Sequence, residues 1–110
     1  MRLTFHNDPG HGWLAVPMEL LHTLGIAHEI SRYSYHSNDG KTAYLEEDCD
    51  YSRFVAAAKV RDIRYSIEEK HSERDSFVRN LPSYQPPRAP EGPAVPLLLA
   101  QDDLFAPGLF

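Results

Sequence analysis

Near the N-terminus apolar side chains recur at every second position. Leu3 and Phe5 alternate with Arg2, Thr4 and His6, the period of a strand with one wet face. Asn7-Asp8-Pro9-Gly10 reads as a turn, and Gly12 to Val16, around the single Trp13, reads as the returning strand of a hairpin. Pro17 then stands where a helix tolerates it, at the first turn. Leu20, Leu21 and Leu24 fall on one helical face. Gly25 supplies a left-handed terminator, and Ile26 is placed to fold back on the last turn.

Beyond a connector at Ala27 to Ser31, Arg32 to Ser37 alternates Tyr33 and Tyr35 with polar neighbours. Asn38-Asp39-Gly40 is a strong hairpin signal, because the tight turns it favours need positive φ. Thr42 to Glu46 is the expected return strand. Asp48 reads as the N-cap of a second helix from about Cys49 to Val60, with Tyr51, Phe54, Val55 and Ala58 on its apolar face and Asp50 favoured by the dipole in its first turn. Ile63, Tyr65 and Ile67 alternate again as a strand, and a short helix from Asp75 to Asn80 would use Phe77 as its anchor. The pattern predicts an α+β fold: a small, mainly antiparallel sheet with two or three helices.

Composition changes the picture at the C-terminal end. Of nine prolines in the 110 residues, seven lie at or beyond Pro82. The chain therefore divides into a compact domain over residues 1–81 and an extended, Pro-rich C-terminal tail over 82–110 that is not expected to pack as core. A domain of about eighty residues buries a modest core, so partner binding is a reasonable expectation. Eleven basic against sixteen acidic residues give a net charge of −5, which disfavours direct binding of nucleic acid while leaving a basic protein as a partner. Cys49 is the single cysteine, so no internal disulfide forms, and the first residues do not read as a secretory signal. A cytoplasmic location is the expectation. The apolar run from Val95 to Ala100, interrupted by Pro96, is too short to cross a bilayer.

Asp8-Pro9-Gly10-His11-Gly12-Trp13-Leu14, Leu20-Leu21 through Leu24-Gly25-Ile26, Ile30-Ser31, Tyr33-Ser34-Tyr35 and Tyr44 through Asp50 occur in an order that resembles a small family of uncharacterised proteins carried by phages and plasmids. The likeness covers about residues 4 to 60. It implies a mobile-element setting in a bacterial cell and assigns no catalytic residue. A second resemblance lies in the tail: Gln101-Asp102-Asp103-Leu104-Phe105 is similar to the pentapeptide by which replication and repair proteins dock on the bacterial DNA sliding clamp. It departs from the strongest form, which has Leu second. Such a peptide seats Leu104 and Phe105 in an apolar pocket while Gln101 hydrogen-bonds nearby. The alternative is that Leu97-Leu98-Leu99 and Leu104-Phe105 cover apolar surface of the chain itself or of a neighbouring subunit.

Three further groups carry candidate chemistry. Glu46, Glu47 and Asp48 with Asp50 form an acidic cluster suited to a basic protein surface, or else strand-end carboxylates and a helix cap. Tyr33, Tyr35 and Tyr44 either offer a contact patch or make cross-strand pairs. His6, Asp8 and His11 surround one turn and resemble metal ligands in type, but turn geometry explains them and no metal site is expected. Cys49 at a helix N-terminus would have a more reactive thiolate. The reading that results is a non-enzymatic, cofactor-free accessory protein that binds a host protein, with Gln101, Asp103, Leu104, Phe105, Glu46, Glu47, Asp50, Tyr33 and Tyr35 as contact residues. The alternatives are a counter-defence inhibitor of the anti-CRISPR type, with an acidic binding face, and a metal or thiol enzyme using His6, Asp8, His11 or Cys49.

Overall fold

The structure, a computed structural model, describes residues 1–88. Five strands form one sheet: β1 (Arg2–Asn7), β2 (Gly12–Pro17), β3 (Tyr35–His36), β4 (Thr42–Glu46) and β5 (Ser66–His71), in the order β3-β4-β2-β1-β5. Two α-helices, α1 (Met18–Thr23) and α2 (Tyr51–Val60), and two 3-10 turns, Ala27–Glu29 and Phe77–Asn80, complete the α+β fold. The β1–β2, β2–β4 and β3–β4 pairings are antiparallel, and β5 alone joins in parallel, along β1.

Strand periodicity sorts the sheet's two faces. Leu14 sits opposite both Phe5 and Leu45, and Val16 opposite Ala43, so these side chains share one face with Leu3. That face packs on Leu21 and Leu24 of α1, Phe54 and Ala58 of α2, and Ile26, Ala27 and Ile30 of the connector. Gly25 ends α1 with φ +75°, and Gly40 closes the β3–β4 turn with φ +73°, both as the sequence requires. The second face carries Trp13, Tyr44 and His6. It is closed by the segment after β5 instead of by a helix: the Phe77 ring meets His6 and Tyr44 edge-on at centroid distances of 5.0 and 5.7 Å.

Several elements differ from the sequence expectation, each for a physical reason. Pro17 ends β2, one residue ahead of α1. The 32–37 strand shrinks to Tyr35–His36 because Ser31 and Ser34 are held in a turn by the carboxylate of Asp50. Helix α2 begins at Tyr51, and its N-cap position is taken by Asp50, not Asp48. The third predicted alternation starts late, since Ile63 and Tyr65 pack against the core and the strand begins at Ser66. Asp62, at φ +55°, makes the left-handed exit from α2 that glycine usually provides. Val78, not Phe77, is the buried residue of the last 3-10 turn. Finally, the packed unit runs past Leu81: Tyr84 is fully buried, and its hydroxyl donates to the carbonyl of Ala27 at 2.5 Å.

Candidate functional site

On the second face, the register that places Leu14 beside Leu45 places Trp13 beside Glu46. The next strand brings Tyr35, whose ring meets Trp13 edge-on with centroids 6.1 Å apart. His11, from the β1–β2 turn, and Asp48 and Cys49, from the turn before α2, close one end. Tyr33 and Arg79 close the other sides of a hollow of about 360 Å³. It is an open concavity with aromatic walls and a carboxylate corner.

One wall is fixed by an ion pair between the two ends of the described chain. The guanidinium of Arg79 donates to Asp8 from Nε to Oδ2 at 2.7 Å and from Nη2 to Oδ1 at 2.9 Å. Asp8 also accepts from the backbone N–H groups of Gly10, His11 and Ser76. The hydrogen bonds from Arg79, with those backbone donors, hold the Asp8 carboxyl well below the usual carboxylate range, against the opposing effect of burial. So anchored, the guanidinium lies 5.2 Å from the centroid of the Trp13 ring, a cation–π contact. Gly10 permits this approach, since a Cβ there would stand 2.7 Å from Nη2 of Arg79.

The carboxylate corner is also built from below. Glu46 is 7% exposed. Its backbone N–H donates to Ser34 Oγ, its Oε1 accepts from the N–H of Asp48 at 2.9 Å, and its Oε2 lies 3.3 Å from Nδ1 of His11. The Ser34 hydroxyl in turn donates to Asp50. Asp50 is wholly buried and also accepts from the backbone N–H and hydroxyl of Ser31. It serves as an internal hub and not as a surface contact.

The acidic cluster therefore divides. Glu46 and Asp48 reach the hollow, Glu47 has an oxygen beside Gly12 on the face that carries Phe5, and Asp50 lies inside. These four carboxylates do not make one continuous acidic face. Tyr33 and Tyr35 flank the hollow together, Tyr33 with 74% of its surface exposed. The turn residues His6, Asp8 and His11 do not converge as a ligand set. His6 stacks against Phe77 and Tyr44, where burial followed by the charge of Lys70 lowers its pKa, and Asp8 is taken by Arg79. Among the described residues, His11, Glu46 and Asp48 are the group whose potential ligand atoms lie within 4.8 Å of one another.

Cys49 corrects a further expectation. Loss of water around its sulfur raises the thiol pKa, and the hydrogen bond to Glu46 and the charges of Glu46, Asp50 and Asp48 push the same way. The site favours the thiol over the thiolate, the reverse of a helix N-terminal activation. Gln101, Asp103, Leu104 and Phe105 lie outside the described residues. Among those residues no helix is long and apolar enough to cross a membrane.

Sequence reasoning missed Arg79 and the hollow itself. A usable signal existed for part of it: alternation along 42–46 and 12–16 puts Glu46 and Trp13 on the face opposite Leu45 and Leu14. Nothing local pairs Arg79 with a turn 71 positions earlier. Comparison with known proteins gives no match: no family model, no curated protein and no solved structure is similar to this chain at a significant level.

Proposed function

We propose that the protein is a non-enzymatic accessory protein of a bacterial mobile element that acts by occupying a surface of a host protein. The observation that carries this reading is Tyr33, a large ring left 74% exposed at the rim of an aromatic-walled hollow. Tyrosine presents broad, amphipathic contact area at low conformational cost, and a concave site beside it accepts a projecting side chain. The raised pKa of Cys49 argues against thiolate chemistry at the same place.

The tail sequence supports a particular host partner. Gln101 with Leu104-Phe105 fits docking on the DNA sliding clamp, and the prolines at 86, 87, 90, 93 and 96 suit an extended spacer that carries the motif to its pocket. The test is direct binding of the full-length chain to purified bacterial sliding clamp. Intact protein is expected to bind, deletion of residues 97–110 to abolish binding, and Tyr33→Ala to weaken it. Equal binding by the deleted chain, or none by the intact one, refutes clamp docking. An activity on a small molecule by the purified chain alone refutes the non-enzymatic reading.

A further inference from the structure

The carboxylate corner of the hollow carries chemistry that the partner reading leaves unused. Glu46 accepts from the N–H of Asp48 through Oε1 and also carries the hydrogen bond of the Cys49 thiol, while its Oε2 lies 3.3 Å from Nδ1 of His11. Two donors bound to one zinc-sized ion at about 2.1 Å and a tetrahedral angle stand about 3.4 Å apart. The Asp48 carboxylate supplies a third donor atom within 4.8 Å of both. The backbone that carries these groups is held by the protein itself: the N–H of Glu46 donates to Ser34, that of His11 to Asp8 and that of Asp48 to Glu46. The cation that also lines the hollow, Arg79, is already committed to Asp8 by two hydrogen bonds. It is not placed by those bonds to neutralise Glu46 and Asp48.

An independent observation points to a bound group. Trp13 lines the same hollow and is 2% exposed, yet its indole Nε1 is a buried donor with no acceptor among the described residues. A buried donor left unsatisfied is costly, which points to a bound acceptor or an ordered water beside the Trp13 ring that lines the hollow. A hydroxide or other anion held in an open coordination position of a metal ion is such an acceptor.

We propose that His11, Glu46 and Asp48 bind one divalent transition-metal cation, with open coordination positions facing the hollow. One imidazole with two carboxylates suits zinc or manganese, ions that accept mixed nitrogen and oxygen ligands. His11 comes from the β1–β2 turn, and Glu46 and Asp48 from the end of β4 and the turn that follows it, so the ion would tie two neighbouring segments together at one end of the sheet. The site uses the carboxylate corner of the hollow, whereas the partner reading uses Tyr33 at its rim. It does not depend on that reading.

The test is isothermal titration of the full-length chain, stripped with a chelator, with Zn2+ alone and separately with Mn2+ alone. One equivalent of at least one ion is expected to bind, with the Trp13 fluorescence changing to the same end point. Changing residues that merely orient metal ligands typically weakens affinity by about 10- to 100-fold, so His11→Ala and Asp48→Asn are each expected to lose at least about tenfold. His28→Ala, a histidine paired with Glu29 away from the hollow, is expected to bind as the parent does. Circular dichroism identifies any variant that fails to fold, and the solvent-exposed Asp48 provides the deciding substitution if His11→Ala does. Absence of saturable binding of both ions, unchanged binding by Asp48→Asn, or equal loss in His28→Ala overturns the proposal.

Discussion

Asp8 and Arg79, 71 positions apart, form a two-pronged ion pair in which Asp8 is nearly buried and the guanidinium partly exposed. The pair clamps the β1–β2 turn to the last 3-10 turn, and so closes the second face of the sheet. Its geometry sets a pH dependence. A carboxyl whose folded pKa is depressed contributes stability that is fully present above its unfolded value of 3.8 and is lost as the pH falls toward the folded value. Acid titration of Tm should show that loss in the parent protein, and Asp8→Asn should be less stable at neutral pH with a flatter acid limb. Arg79→Lys should recover little of the pair's effect, because a lysine ammonium lacks the planar fork that meets both oxygens. An acid limb unchanged in Asp8→Asn would show that other carboxylates control it.

Asp50 supports the carboxylate corner of the same hollow from within. Its buried carboxylate receives Ser31 and Ser34, and Ser34 in turn positions the backbone of Glu46. Asp50→Ala leaves those donors buried without a partner, at a cost of about 2–4 kcal/mol. Asp50→Asn keeps one acceptor oxygen for the two serine hydroxyls, which share Oδ2, but turns an amide donor toward the Ser31 N–H beside Oδ1, so its loss should be smaller yet clear. Urea unfolding monitored by Trp13 measures both. Near-parental stability of Asp50→Ala would contradict the hub role.

How far the sequence carries is visible in particular residues. Gly25, Gly40 and the alternations around Leu14 and Leu45 are local signals, and the helix end, the hairpin turn and the core face follow from them. Asp50 differs from its sequence expectation as a surface contact for a definable reason. Acidic residues before an apolar helical stripe normally cap or solvate, and only the tertiary approach of Ser31 and Ser34 makes burial the better state. The parallel partnership of β5 was equally illegible: a strand exposed along its whole length, with Glu68, Glu69 and Lys70, advertises an edge but not which neighbour it joins. Arg79 and the hollow depend on chain segments that meet only once folded.

Tyr84 shows the same limit at the domain boundary. Proline density beyond Pro82 reads as the end of packing, yet Tyr84 fills the core between the sheet and the connector. Its amide donates to Ser34 and its hydroxyl to Ala27. Tyr84→Phe should cost about 0.5–1.5 kcal/mol, the usual net worth of one hydrogen bond. Tyr84→Ala should cost about 3–5 kcal/mol, as for other large aromatic truncations. Burial, reinforced by the charge of Asp50, pushes the phenol up to about 12. The neutral form is therefore favoured by folding, and stability should fall as the pH rises from the ordinary value of 10.0 toward 12. Tyr84→Phe should reduce this alkaline loss, which urea titrations across that range would reveal.

Cys49 offers a chemical readout of the carboxylate corner. Thiolate, not thiol, reacts with iodoacetamide, so the rate follows the fraction ionised. Desolvation and the neighbouring Glu46 carboxylate, reinforced by Asp50 and Asp48, disfavour ionisation, and the alkylation profile should be displaced to higher pH than that of an unhindered cysteine. Glu46→Gln removes one negative charge next to the sulfur and should move the profile back toward lower pH, with faster labelling at neutral pH. Glu47→Gln is the matched control, because Glu47 has an oxygen beside Gly12 on the face that carries Phe5 and contributes no shift to Cys49. The experiment separates charge from access. If Glu46→Gln and Glu47→Gln alter the rate equally, general electrostatics accounts for the shift; if neither does, Glu46 is not what holds the thiol up, and desolvation with Asp50 and Asp48 accounts for it. A profile displaced to lower pH in the parent protein would reverse the argument and reopen Cys49 as a nucleophile.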